Sequence, residues 1–154
     1  YAFNARVIDR IKYNNSVSAV VNAISKTHKV QRRNYFRLGV MVDMTISYKV
    51  GYNSVIKHLD AVDISGGGIK IMSAEKISLG TDVQINMNIP GIKGSIINGR
   101  VVRCAPSIKN SSIYDIGIEF VDISANCRQK IIQYIFARQR KILRRGLKEQ
   151  IKNP

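Results

Sequence analysis

Tryptophan is absent from this 154-residue chain, cysteine occurs twice, and acids number only 10 against 25 Lys and Arg. Cys104 and Cys127 are too few for a disulfide scaffold. They have no CxxC partners, and His28 and His58 stand alone, so no zinc site of ordinary pattern is expected. The two read as reduced thiols in a cytoplasmic protein. No apolar run approaches the about 18 residues needed to span a bilayer. The sparse acids offer no Ser-His-Asp order, and no Walker-type or Rossmann-type glycine loop precedes a helix. An enzyme is therefore the least supported class, and no cofactor or metal is expected. No basic stretch followed by an apolar run leads the chain, so no signal peptide is read, and a first residue of Tyr1 reads as a fragment.

What is present is enough for one domain, or for a domain plus part of another. The chain is 45% apolar and 23% charged, which suits a folded chain with a real core. Its formal charge of +15 should draw anionic partners such as nucleic acid, anionic lipid or phosphate-bearing small molecules. The charge is uneven. Arg128, Lys130, Arg138, Arg140, Lys141, Arg144, Arg145, Lys148 and Lys152 face Glu149 alone, so the last segment holds just over half of it. Such a run is either a solvated helix face or a contact surface for an anionic partner.

The periodicity is mostly that of strands. Phe3, Ala5 and Val7 alternate with polar neighbours, Tyr13 to Ser16 reads as a turn, and Val17, Ala19, Val21 and Ala23 resume the period of two. Ser25 to His28 reads as a connector. From Phe36 to Tyr48 every even position is apolar, which predicts one long half-buried strand. A turn at Tyr52-Asn53 leads to a strand over 55–62, then to Asp63-Ile64-Ser65 and three glycines. Further strands are predicted over 69–72, 83–89, 96–104 and 114–120. The set suggests an antiparallel barrel. After Asp122 the period changes: Ser124 is a candidate N-cap, and a helix is expected from about 125 to about 150. Its first half should cover a face or end of the barrel.

Two patterns stand out. Arg33 and Arg37 form an RxxxR pair with Arg32 in front, placed where the connector enters the long strand. RxxxR also occurs at Arg6/Arg10 and Arg140/Arg144, so alone it reads first as a solvated basic linker. Asp63, Ser65 and Gly68 form DxSxxG, which alone is equally a glycine-rich turn with Asp and Ser capping backbone groups. Asp122-Ile123-Ser124 begins the same way but has Cys127 where Gly68 stands. Together the two patterns suit a guanine nucleotide. Guanidinium groups fork onto phosphate oxygens or the O6 and N7 of guanine, and a carboxylate accepts from its N1–H and N2–H edge. Ser65 can donate to the ligand, and glycine at 68 would let it approach the backbone.

The run Gln31-Arg32-Arg33-Asn34-Tyr35-Phe36-Arg37 followed by Asp63 to Gly68 resembles the PilZ domain, the bacterial receptor for cyclic di-GMP. The likeness continues through Gly99 to Arg103 and Tyr114 to Phe120, covering about residues 30–140. It implies a mainly β fold, a six-stranded antiparallel PilZ-type barrel with a C-terminal helix, over residues 29–154. It also implies a ligand site of Arg32, Arg33, Arg37, Asp63, Ser65 and Gly68, with the arginines wrapping the ligand over a fixed floor. Two strands and a connector ahead of Gln31 are similar to the flagellar brake proteins. On that likeness residues 1–28 are the end of a truncated N-terminal domain, and the partner is the flagellar motor or a polysaccharide-synthesis complex. The competing reading is a basic β-barrel that binds nucleic acid, against which stands the thin supply of aromatics for base stacking.

Overall fold

The computed structural model describes residues 1–13, 16–31, 33–108 and 110–152, with backbone alone for Tyr13 and for 146–152. Arg32, and Asn14-Asn15 of the expected first turn, lie outside the described residues. The chain divides into two compact units, Tyr1–Asn34 and Tyr35–Pro154.

The first unit is an antiparallel hairpin of β1 (Ala5–Tyr13) and β2 (Ser16–Ala23). The register slips between Val7 and Asp9, so the alternation read along this segment changes phase at Ile8. The expected connector is partly paired: Ala2 bridges His28, and the Asn4 amide donates to Ser25 Oγ at 2.8 Å. Val7, Ile8, Ile11, Val17 and Val21 are all exposed.

The second unit is a barrel. Its strands are β3 (Arg37–Leu38), β4 (Val42–Val50), β5 (Asn53–Ser65), β6 (Gly68–Ser73), β7 (Asp82–Met87), β8 (Ile97–Pro106) and β9 (Tyr114–Phe120). The hydrogen-bonded order is β3-β5-β4-β7-β8-β9-β6, and β5 also pairs with β6. That last pairing closes a six-stranded antiparallel barrel, with β3 as a short addition on β5. Closure removes the open edges that six strands would otherwise expose.

The long strand expected over 36–48 is two strands. Leu38 pairs with Ile64, whereas Val42 pairs with Ala61. Four steps along one strand thus match three along its neighbour, and the surplus is taken up at 39–41. A bulge in β5 between Ala61 and Asp63, opposite β6, re-phases that strand. Leu38, Val42, Ala61 and Ile64 can then all be buried. The turn before β5 is Gly51-Tyr52, one residue earlier than expected, since Asn53 already pairs with Val50. Gly51 supplies the φ of +60° that such a tight hairpin needs.

Inward-facing residues fill the barrel: Ile46, Ile64, Ile71, Ile85, Met87 and Ile116 are fully buried. A helix, α1 (Ala125–Lys152), follows β9, and Ile131 and Ile135 bury themselves in the same core. Ser124 is its N-cap, accepting the Cys127 amide at 3.2 Å on Oγ. Ser124→Ala should cost about 1 kcal/mol, read as a melting temperature about 2–4 °C lower. Burial pushes the Cys127 thiol up, opposed in part by the Lys130 charge. Cys127 should therefore alkylate more slowly at pH 8 than free cysteine, measurable by mass spectrometry against iodoacetamide.

Candidate ligand-binding site

The register brings the two sequence patterns together. Arg37, the last residue of RxxxR, pairs directly with Ser65 of DxSxxG across β3 and β5. Cross-strand partners share a sheet face, and Asp63, two residues from Ser65, shares it too. Leu38 and Ile64 take the opposite, core-facing side. Arg37 is exposed and Asp63 half-buried, so an acid and a guanidinium sit on one outer patch of the barrel.

The local fold explains why these residue types stand there. Ser65 is buried, and its Oγ donates to the Gly68 carbonyl at 3.1 Å while accepting the Gly67 amide at 3.3 Å. The hydroxyl thus staples the Gly66-Gly67 turn between β5 and β6, as the capping alternative for this motif expects. Asp63 has no such employment. Among the described residues its carboxylate makes no hydrogen bond and no ion pair. Among the described residues the serine serves the turn and the acid does not.

Asp63 and Ser65 also lie inside β5 and not in a turn between strands. Gly68 opens β6 and pairs with Glu119 of β9. A Cβ there would fall 2.2 Å from the Ile118 carbonyl oxygen and 3.1 Å from Glu119 Cα. Glycine is therefore demanded by the approach of β9, and open space for a ligand is not what fixes it.

Arg33 belongs to the first unit, where its carbonyl accepts Gln31 Nε2 at 2.8 Å. Arg32 lies outside the described residues. Of the six expected site residues, the barrel thus assembles Arg37, Asp63, Ser65 and Gly68.

Three further residues belong to the neighbourhood. Lys70 pairs with Asp63 across β5 and β6, and its Nζ is 3.9 Å from Asp115 Oδ2. Its outward position was legible from Ile69 and Ile71, which must point inward. Tyr35 packs on the glycine turn: a Cβ on Gly66 would be 2.7 Å from its Cδ1, and one on Gly67 3.0 Å from its Cδ2. Arg128 of α1 donates to the Tyr35 hydroxyl, with its Cζ 5.2 Å from the ring centroid. No sequence signal links residue 128 to residue 35.

The second Asp-Ile-Ser shows what the tripeptide does without the glycines. Asp122 adopts φ of +49° in the turn before α1, and Ser124 caps the helix. There the acid and the serine shape the turn and the helix start, while Ile123 packs against the core.

Comparison with known proteins bears on the fold. The chain is similar in fold to the inhibitor of motility MotI/DgrA of Bacillus subtilis, at 21% identity and a TM-score of 0.61, over 90% of this chain and 66% of that one. It is similar to YcgR of Escherichia coli, solved in complex with c-di-GMP, at 20% identity and 0.62, over 91% and 60%. MrkH of K. pneumonia matches at 16% identity and 0.54, over 93% and 66%. The chain spans 60–66% of the length of these three. A search of the curated proteins finds no match. Residues 31–137, more than half the chain and all of the barrel, match the PilZ domain. The chain belongs to the PilZ domain family.

Proposed function

We propose that this protein is a cyclic di-GMP receptor, not an enzyme, that converts ligand binding into an interdomain or partner-contact change. The observation that carries this reading is the Asp63 carboxylate, without a hydrogen bond or ion pair among the described residues, on the same face as Arg37, which pairs with Ser65. Arg37, with Arg33 and Arg32, supplies guanidinium groups for the phosphates, and Asp63 selects guanine through its N1–H and N2–H edge. Ser65 and Gly68 hold the floor rigid. The family match and the YcgR complex with c-di-GMP support the ligand's identity.

Motility control is the process we favour, because one of the similar structures is the inhibitor of motility MotI/DgrA. The partner in this reading is the flagellar motor, with a polysaccharide-synthesis complex as the other candidate, and the setting is cytoplasmic. We read residues 1–28 as the end of a flagellar-brake-like domain, since their hairpin exposes Val7, Ile8, Ile11 and Val17. The exposed cations Arg140, Lys141, Arg144 and Arg145 on α1 offer an anionic partner a contact surface.

Tyr35 already packs on the glycine turn and Arg37 already pairs with Ser65, so what remains to be ordered in the 28–37 segment costs about 1–2 kcal/mol per residue, offset by charge-assisted contacts. Hydrogen exchange with and without cyclic di-GMP tests the switch. Residues 28–37 should gain protection on binding. Equal protection in both states would sink the switch.

A further inference from the structure

Arg128 is a half-buried cation beside the ligand floor, with no carboxylate to balance it among the described residues. Its partner is the Tyr35 hydroxyl, a neutral group, and the Tyr35 ring rests on Gly66-Gly67 inside the DxSxxG motif. The position is also a poor one for a cation on helical grounds. Arg128 sits in the first turns of α1, whose first turn holds no acid, so the positive end of the helix dipole adds to its charge. A guanidinium partly removed from water and lacking a counter-charge is costly, and an incoming phosphate removes that cost.

We propose that Arg128 is a further ligand-binding residue of this site, passing its guanidinium from the Tyr35 hydroxyl to a phosphate of the bound dinucleotide. The inference rests on the cyclic di-GMP reading given above. It makes α1 part of the site, because the residue that meets the phosphate is fixed to the helix whose Ile131 and Ile135 are set in the core. Tyr35 then acts as a placeholder. In the free protein its hydroxyl holds Arg128 against the glycine turn, and on binding it yields that partner to the ligand. The helix senses occupancy directly, without a relay through the barrel.

Calorimetric titration of cyclic di-GMP into wild type, Arg128→Gln, Arg128→Lys and Tyr35→Phe tests this, with melting temperatures taken alongside. Arg128→Gln should weaken binding about 10- to 100-fold, the loss of a charge-assisted forked contact. Arg128→Lys keeps the charge but not the fork and should fall between the two. Tyr35→Phe removes only the competing acceptor, so it should bind as tightly as wild type or more tightly. Should Arg128→Gln melt early, Arg128→Lys and Tyr35→Phe decide the matter. Wild-type binding with Arg128→Gln within about 2-fold of it overturns the inference alone. Equal weakening in Arg128→Gln and Tyr35→Phe also overturns it, since Arg128 would then merely anchor the ring. No binding by wild type removes the receptor reading and this inference with it.

Discussion

Arg37→Ala and Asp63→Ala should each weaken cyclic di-GMP binding by about 100-fold or more while leaving the fold intact. A charged group that donates or accepts two hydrogen bonds to a ligand contributes about 3 kcal/mol, and each 1.4 kcal/mol is tenfold in affinity. The cost rises further if the ligand group left behind is buried and unpaired. Stability should barely move. Arg37 is exposed on a two-residue strand, and Asp63 makes no hydrogen bond or ion pair among the described residues. Substitutions at such sites usually change stability by about 0.5 kcal/mol or less. Ser65→Ala should behave differently, because its hydroxyl is already spent on Gly67 and Gly68. It should lower the melting temperature as well as the affinity. A uniform loss of stability across all three variants would show that Asp63 too is structural.

Gly68→Ala should be the most disruptive single methyl in this part of the barrel. The added Cβ would meet three backbone atoms of β9, at 2.2, 3.1 and 3.2 Å. Backbone cannot rotate away as a side chain can, so β6 and β9 must separate where Gly68 pairs with Glu119. Overpacking of this kind costs about 1–3 kcal/mol. The expected readout is a melting temperature lower by about 2–12 °C. Saturating cyclic di-GMP should restore part of that loss, since ligand at about 100 times its Kd adds about 2.7 kcal/mol. A variant that melts with wild type would mean that β9 does not approach Gly68 as described.

These positions also separate what could be read from the chain from what could not. The alternation of Ile116, Ile118 and Phe120, and of Met44, Ile46 and Tyr48, marks barrel strands because one face is buried and the other wet. The helix start was equally open to reading, since Ser124 precedes a change of period and caps as expected. The break at 39–41 was hidden. Parity survives across it on its own strand, and the surplus residue exists only relative to β5. The residues proposed for the site were legible as types, through RxxxR and DxSxxG, but their places in the fold were not. That Arg37 opposes Ser65 is a fact of register. That Gly68 answers to β9 depends on a strand some 50 residues downstream. The stapling by Ser65, and the reach of Arg128 to Tyr35, likewise belong to tertiary structure and leave no local trace.

Charge gives the nucleic-acid reading its force, and charge is also what separates the two. A +15 chain with exposed Arg140, Lys141, Arg144 and Arg145 will attract polyanions whatever the barrel does. Such binding falls steeply with salt and takes no notice of a single carboxylate on the barrel. The guanine recognition proposed for Asp63 is the opposite case, a directional contact tied to one residue.

Calorimetric titration of cyclic di-GMP into wild type and Asp63→Ala, at low and high salt, separates them in one experiment. Wild type should bind saturably at both salt concentrations, and Asp63→Ala should lose that binding at both. Binding that collapses with salt and is unchanged in Asp63→Ala would contradict guanine recognition by Asp63, and would move attention to the basic half of α1.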